Sequence, residues 1–414
     1  MGVIEPSAAL APGGVDRASP LETLLVLLFP TVADADLAER LEATRERIPA
    51  AQAAARMAQM RDVELAVLGR PYLESRRMER QPVGRVRNLG SGEGGWPDYA
   101  DVFLVTHVAG VGLWEIWIPA PASPLDASRY IGWLDPESAG GPAAAVRAWL
   151  AGMDPEMAGA AAASDAFACS ILRSGPGGPS LAALLDAHGP ELVRLLYLDR
   201  SRLPFKRAVV DAELRRDFCL REDGVSFLSR RGAVDLRTGE ALPRGADGVP
   251  LPARSALPLL VAIELLVLER AVLRRFHERL SADRPTSVRG LLDLKAEVLT
   301  GLEEYRGTVA TSNRFSDEVT AYGQRVLGID ELYRALTDKL DGITFEITTR
   351  YEQTTNVLEF WLTILITAVS ASALAASVAG VAYPGQPVAM VAWAAAVGLA
   401  TALVVALLLR GRLQ

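Results

Sequence analysis

The strongest hydrophobic pattern in the chain is a charge-free stretch near its C-terminal end. No charged residue occurs from Phe360 to Leu409, and a Tyr-Pro-Gly-Gln-Pro turn divides the stretch in two. The segments 357–382 and 388–409 each provide the roughly 20 apolar residues that a helix needs to cross a bilayer core of about 30 Å. Backbone polar groups in lipid are satisfied in helices or closed barrels. The pattern therefore predicts a transmembrane two-helix hairpin with a short basic tail over 357–414.

A heptad repeat of apolar residues precedes the hairpin. Its positions alternate in steps of three and four over four repeats, as in a coiled coil. They are Val319, Tyr322, Val326, Ile329, Tyr333, Leu336, Leu340, Ile343 and Ile347. The same phase continues through Val357 to Ile364. We therefore expect long α-helices over 255–356, ending in a coiled-coil-like stalk helix that runs without a break into the first membrane segment. Gly328 is a weak point in this helix.

The first part of the chain mixes short apolar runs with helical patterns. The run 24–29 predicts a buried strand, and 180–198 predicts helix. Strands interspersed with helices predict an α/β or α+β fold for a cytoplasmic domain over 21–245, after a flexible lead at 1–20. A Pro/Gly-rich linker at 242–252 follows.

Three further stretches of the soluble part carry structural predictions. The Arg- and Gly-rich stretch 76–99 is expected to form an exposed loop, and 206–213 a short strand. The helix predicted at 255–280 has an apolar run of only about a dozen residues and contains Glu264. Because this run is too short to cross a bilayer, we expect a helix buried in protein.

Polar residues recur at every seventh position along the first predicted membrane helix. They are Asn356, Thr363, Ser370 and Ser377, and Thr367 lies one turn from Thr363 and Ser370. Steps of seven return to nearly the same face of a helix. One explanation is packing alone, because serine and threonine bond back to their own helix carbonyls and pack between helices. The other is that several copies of this polar stripe line a pore for a hydrated cation.

A second face of the same helix carries small residues at steps of four. They are Ala368, Ser372, Ala376 and Gly380. Small residues at this spacing allow close approach of another membrane helix. We expect this face to serve packing.

Basic residues flank the predicted spans on one side. Arg350 precedes the first span, and Arg410 and Arg412 follow the second. Because basic flanks favour the cytoplasmic side, we expect a two-span protein of the cytoplasmic (inner) membrane with both termini in the cytoplasm. Glu359 then lies at the inner interface, or forms an acidic ring at the inner mouth of a pore.

The net charge of the chain indicates which classes of partner it is suited to bind. The chain has 414 residues and a formal charge of −7. Glu359, Arg410 and Arg412 give the hairpin and its tail +1, so the remainder carries −8. An acidic body disfavours nucleic acid and tolerates cations.

The two cysteines point to a reducing compartment. Cys169 and Cys219 lie in apolar, strand-like runs and share no motif spacing. We expect both to be buried free thiols.

The sequence offers no arrangement of residues for catalysis. His107, His188 and His277 lack metal-ligand spacing. The glycine-rich run 90–95 lacks the Lys-Ser/Thr of a phosphate-binding loop. We therefore expect neither an enzyme nor a covalently bound cofactor.

The start of the first span resembles a known family. Residues 356–364 read NVLEFWLTI and are similar to the Asn-x-x-x-x-x-Leu-Thr-Ile with which CorA-type divalent-cation (magnesium) transporters begin their first span. The architecture of 255–414 also resembles that family. The family closes this span with Gly-Met-Asn, whereas this chain continues from Gly380 as Val-Ala-Tyr383. The chain is therefore similar to a divergent member that lacks the motif.

The resemblance implies a homo-oligomeric channel or transporter, a pentamer in that family, that moves Mg²⁺ or another divalent cation across the membrane. The stripe residues would line the pore, and Gly380, Tyr383 and Gln386 would form the outer mouth. The implied partners are the lipid bilayer, further copies of the chain and divalent cations, transported or regulatory. The missing motif leaves an alternative open, a membrane-anchored receptor or effector whose N-terminal domain binds a ligand or partner.

Overall fold

The structure is a computed structural model that describes residues 20–33, 37, 48–68, 78–87, 89, 97–107, 110–138, 140–158, 166–201, 203–244, 250–282, 287–306, 314–382 and 387–410. An α/β sheet domain comes first, and helices follow it. The strands are β1 (Leu21–Val32), β2 (Met78–Arg87), β3 (Tyr99–His107), β4 (Val111–Ser123), β5 (Phe167–Ser174), β6 (Gly224–Leu228) and β7 (Gly232–Thr238). The helices of the sheet domain are α1 (Ala50–Leu68), α2 (Ala127–Leu134), α3 (Pro142–Ala151), α4 (Leu181–Tyr197) and α5 (Arg207–Leu214). The later helices are α6 (Leu257–Ala282), α7 (Val288–Arg306), α8 (Arg314–Val326), α9 (Ile329–Ala382) and α10 (Pro387–Arg410).

The seven described strands form one mixed sheet in the order β2-β3-β4-β1-β5-β7-β6. Neighbouring strands are antiparallel except β5 and β7, which are parallel. A parallel pair needs a crossover, and α4, α5 and β6 supply it. β1 lies at the centre, where Val26 stands opposite Trp117 of β4 and Cys169 of β5.

The sheet is buried on both faces, as the unbroken apolar sequence of β1 requires. Leu25 and Leu27 join the core cluster that contains Tyr130 of α2. The alternate residues Leu24 and Val26 are also buried. Because successive side chains of a strand point to opposite faces, β1 contributes to a core on each side of the sheet.

The strand predicted at 24–29 and the helix predicted at 180–198 are confirmed as β1 and α4. Ser180 caps α4, because its hydroxyl accepts a hydrogen bond from the backbone N–H of Ala183. The predicted helix around Glu264 is confirmed as α6. Leu260, Ile263 and Glu264 are fully buried, as expected of a helix inside protein.

The loop predicted over 76–99 is wrong where β2 forms, from Met78 to Arg87. Here Arg80 and Arg85 are buried. Their charges are paired with buried carboxylates, so a strand rich in arginine can lie inside the protein. The glycine-rich run 90–95 lies outside the described residues.

The strand predicted at 206–213 is also wrong, because α5 forms there. Its buried residues Val210 and Glu213 are three positions apart, which is helical spacing. An ion pair between Arg207 and Asp211 of 3.0 Å joins successive turns.

The long stalk helix is interrupted once and then continues as predicted. Leu327 and Gly328 form a turn between α8 and α9, with φ of 71° at the glycine. An unbroken helix through this point is therefore wrong. From Ile329 a single helix of 54 residues continues into the first apolar segment.

The heptad positions are largely buried within one chain. Val319, Ile329, Leu336, Leu340 and Ile343 are each less than a tenth exposed. The repeat therefore packs at least partly inside the protomer, and by itself it does not imply contact between copies.

The chain folds into two compact units. The first comprises 1–281 with 298–336, and the second comprises 282–297 with 337–414. The sheet belongs to the first unit, and the apolar part of α9 with α10 belongs to the second.

The two cysteines are free, but only one is fully buried. Cys169 lies buried on β5, where burial raises the pKa of its thiol. Cys219 is half-buried and lies before β6 rather than in a strand.

Candidate functional site: an apolar helix with a polar face, and a buried ionic network

The apolar half of α9 is largely uncovered by protein. Its most apolar 18-residue window has a mean hydropathy of 2.0, and 11% of that window is buried. Among the described residues this is the one helix long and apolar enough to cross a membrane. The apolar stretch within α10, Val391–Val405, is shorter than this helix. Large apolar side chains such as Leu365 and Val369 are 61% and 62% exposed in the single chain, as suits a lipid-facing helix.

The polar stripe lies on an exposed side of α9. Thr363, Ser370 and Ser377 are all exposed. At about 100° per residue, their directions fall within about 40° of one another. Leu374 shares this side and is 69% exposed, so an apolar residue interrupts the stripe.

The opposite side of α9 faces α10. A Cβ placed on Gly398 would overlap Ser372 Oγ and lie 3.3 Å from the backbone oxygen of Ala368. Ala368 and Ser372 belong to the predicted small-residue face, whose packing role is confirmed at these two positions. Since Ser372 points about 180° away from Thr363, the polar stripe faces away from α10.

Three hydroxyls on this part of α9, those of Thr363, Thr367 and Ser377, bond back to their own helix. Thr363 Oγ1 donates to the Glu359 backbone oxygen at 2.7 Å, and Thr367 Oγ1 donates to the Thr363 oxygen at 2.7 Å. Ser377 Oγ donates to the Ala373 oxygen at 3.0 Å. A hydroxyl has one donor hydrogen and two lone pairs. These side chains are therefore stable in an apolar helix and present acceptors outward.

The remaining predicted site residues are placed only in part. Glu359 is exposed on α9. Asn356 and Gly380 lie within the same helix by their backbones. Tyr383 and Gln386, assigned to the outer mouth, lie outside the described residues.

In the first of the two units, a buried arginine contacts three carboxylates. Arg80 on β2 donates hydrogen bonds to Glu115 on β4 and to Glu264 on α6. It also lies 3.2 Å from Glu64 on α1. Trp117 Nε1 donates to the other oxygen of Glu115 at 2.6 Å. One side chain thus joins the sheet to two helices.

A pair of arginines surrounds a single aspartate beside this group. Arg85 contacts Asp101 at 2.6 Å, and Arg56 bonds the same carboxylate. The Arg56 guanidinium lies 5.0 Å from the centre of the Trp117 ring, in a cation–π contact. Because Trp117 also binds Glu115, it connects the two groups into one network.

The network has an uneven charge balance that bears on Glu264. Three carboxylates surround Arg80, and two arginines surround Asp101, which leaves one excess negative charge among the seven side chains. Burial raises the pKa of the Glu264 carboxyl to about 7, an effect that Arg80 opposes and Glu64 reinforces. Its Oε1 is buried and has no hydrogen-bond partner among the described residues. A proton on Glu264 would balance the charge of the network.

Sequence reasoning does not find this network, because its arginine-rich stretch predicts a loop where β2 forms. Two signals are nevertheless present in the chain. Met78 and Arg80 are two positions apart, as on one face of a strand, and Glu264 stands alone in an apolar helix. A lone charge at a buried position requires a partner of opposite charge, but the sequence does not show which element provides it.

No group of three or more histidine, cysteine or acidic side chains within the described part of the chain could hold a metal ion. Neither profiles of known protein families, nor curated proteins, nor solved structures match the chain. A function must therefore be inferred from the residues themselves.

Proposed function

We propose that this chain forms a homo-oligomeric membrane channel or transporter for divalent cations, Mg²⁺ or a similar ion. In this proposal α9 and α10 are the two spans of a hairpin in the cytoplasmic membrane, with both termini in the cytoplasm. Copies of α9 surround the pore, five of them if the resemblance to CorA-type transporters extends to subunit number.

The observation that carries the proposal is the direction of the polar stripe. Thr363, Ser370 and Ser377 are exposed and face away from the contact between Ser372 and Gly398. If α10 covers one side of α9, the opposite side is free to face a central axis. A stripe that served packing against α10 would lie on the Ser372 side.

The chemistry of the stripe suits a hydrated cation. Back-bonded hydroxyls use their hydrogen within the helix and turn lone pairs outward, where they can accept hydrogen bonds from the water around the ion. Mg²⁺ dehydrates reluctantly and keeps several waters when bound, so neutral acceptors are sufficient. Glu359, exposed at one end of the stripe, would add a ring of negative charge at the inner mouth.

Flux through purified protein in liposomes tests the proposal. Wild-type protein should release Mg²⁺ or Co²⁺ from loaded liposomes, and Ser370→Leu should reduce the release by narrowing the pore and removing an acceptor. Val369→Leu is the matched control, since Val369 is the adjacent exposed residue on a different face, about 100° away. The pore would be refuted if the wild type released no ions, or if Ser370→Leu and Val369→Leu reduced the release equally.

A second function is supported by the sequence of residues 380–386, which lacks the Gly-Met-Asn of the family that the chain resembles and carries no acidic residue. We propose as the alternative a membrane-anchored receptor or effector whose N-terminal domain binds a ligand. Intact protein that binds a ligand but passes no ion in the same liposome assay would favour it.

A further inference from the structure

A cavity of about 370 Å³ lies between α6 and the edge of the sheet where β1 ends and β4 and β5 begin. Its apolar lining includes Pro30, Val32, Val111, Phe167 and Val267. Ligand pockets commonly measure about 300–1,000 Å³ and combine apolar walls with a few polar groups. This cavity is therefore large enough for a compact small molecule.

The polar lining of the cavity has an excess of positive charge. Among the described residues that line it, Arg270, Arg274 and Arg275 on α6 are basic, and Glu156 and Glu278 are acidic. Three arginines against two carboxylates leave a formal charge of +1. In a partly enclosed site such an excess favours an anion.

Both carboxylates already have partners in the protein. Glu156 accepts a hydrogen bond from the Val32 backbone N–H at 3.2 Å. Glu278 accepts one from Arg274 Nε at 2.9 Å. Arg275 uses Nη1 to donate to the backbone oxygen of Gly110. A guanidinium has five donor hydrogens, so this single bond leaves Arg275 able to bind an anion through its other nitrogens.

The wall opposite α6 is fixed by a buried aspartate. Asp154 accepts hydrogen bonds from Thr31 Oγ1 and from Trp114 Nε1, the latter at 2.8 Å. It also accepts one from the backbone N–H of Glu156 at 3.0 Å. These bonds connect the end of β1, β4 and the segment after α3. Rigid walls reduce the cost of ordering a site when a ligand binds.

We propose that this cavity binds a small organic anion, with a carboxylate or phosphate group at Arg275 and a compact apolar body against Phe167. Planar guanidinium groups recognise both kinds of anion through paired hydrogen bonds. The proposal does not depend on ion transport. It gives the sheet domain a ligand whether α9 lines a pore or only anchors the chain.

Calorimetric titration of the full-length protein in detergent micelles tests the site with two anions and their neutral counterparts. The probes are AMP against adenosine, and 4-hydroxyphenylacetate against its amide. At least one anion should bind saturably, and its neutral counterpart should bind at least about tenfold more weakly, because it cannot form charge-assisted hydrogen bonds.

Three variants locate the binding. Arg275→Ala should weaken it about tenfold or more, and Ala271→Leu should weaken it by filling the cavity without removing a charge. Arg221→Ala is the control, because Arg221 lines a different cavity, and it should bind as the wild type does. If Arg275→Ala fails to fold, Ala271→Leu still tests the location. Absence of binding by both anions, or full binding by the Ala271→Leu protein, would refute the proposal.

Discussion

Gly398 of α10 lies so close to Ser372 of α9 that a methyl group on the glycine would overlap the serine hydroxyl. The hydroxyl itself donates to the Ala368 backbone oxygen at 2.8 Å, so its position is fixed by its own helix. Close approach of this kind suits helices in lipid, where association depends on packing between small residues. It also determines which side of α9 stays free.

Replacing Gly398 by leucine should separate α9 from α10. Overpacking of a tight contact costs about 1–3 kcal/mol, and we expect a lower midpoint of thermal unfolding in detergent. Gly342→Ala is the control, because Gly342 lies in α9 with nothing within 4 Å of its would-be Cβ. That change should stabilise the helix by about 0.5–1 kcal/mol. Equal midpoints for Gly398→Leu and the wild type would show that the two helices do not pack here.

Replacing Arg80 by methionine should strongly destabilise the sheet domain. The substitution leaves Glu115 and Glu264 buried without their partner, and breaking a buried ion pair in this way costs about 3–5 kcal/mol. Chemical denaturation of the full-length protein measures the change.

The double variant Arg80→Met with Glu264→Gln should recover part of this loss, since it removes one of the unpaired charges. Arg207→Met is the surface control, because Arg207 is 74% exposed, and it should change stability by about 0.5 kcal/mol or less. A near-neutral Arg80→Met would mean that the network does not hold the domain together.

The turn between α8 and α9 depends on a glycine. Gly328 has φ of 71°, and a residue with a Cβ is strained in this region by about 1–2 kcal/mol. Gly328→Ala should therefore lower stability by about that amount, and Gly328→Asn by less, since asparagine tolerates left-handed backbone. Thermal unfolding compares the two. If alanine stabilised the protein, it would favour a continuous helix as the heptad repeat alone predicts.

The parts of the fold that the sequence predicts correctly are those with a local cause. The apolar run of β1 and the long helix through Ile364 follow from hydrophobic spacing alone. The turn at Gly328 separates α8 from α9, although the heptad repeat continues past it without a change of phase. The backbone conformation of this one glycine outweighs the periodicity of the side chains. The sequence fails to predict β2 for a different reason. Arg80 is compatible with a buried strand only because Glu115 and Glu264, distant in sequence, supply its partners.

The candidate site, too, could be predicted from the sequence only in part. That Thr363, Ser370 and Ser377 share one face of α9 could be anticipated, because a seven-residue spacing returns to nearly the same face of a helix. The exposure of this face, and its direction away from α10, could not be anticipated, since they depend on the contact at Gly398. The cavity beside Arg275 is formed where three strands and α6 come together. No local sequence pattern predicts that these elements are neighbours.

Glu264 should make the stability of the sheet domain depend on pH near neutrality. Burial raises the pKa of its carboxyl to about 7 from an ordinary value of 4.5, against the effect of Arg80 and with that of Glu64. Between these two values the folded protein keeps the proton while the unfolded chain loses it, so stability falls as pH rises from about 4.5 to about 7. The full shift corresponds to a change on the order of 3 kcal/mol.

Glu264→Gln should remove this dependence, because glutamine resembles the protonated carboxyl and can still accept from Arg80. The variant should gain stability relative to the wild type as pH rises from 5 to 8, measured as the difference in denaturation midpoint at each pH. Other groups near Glu264, namely Arg80, Glu64, Glu115 and the Cys169 thiol, are the same in both proteins, so the difference isolates Glu264. Glu137→Gln, at an exposed position, should follow the wild type throughout. Parallel pH profiles for Glu264→Gln and the wild type would show that Glu264 is ionised in the folded protein across this range.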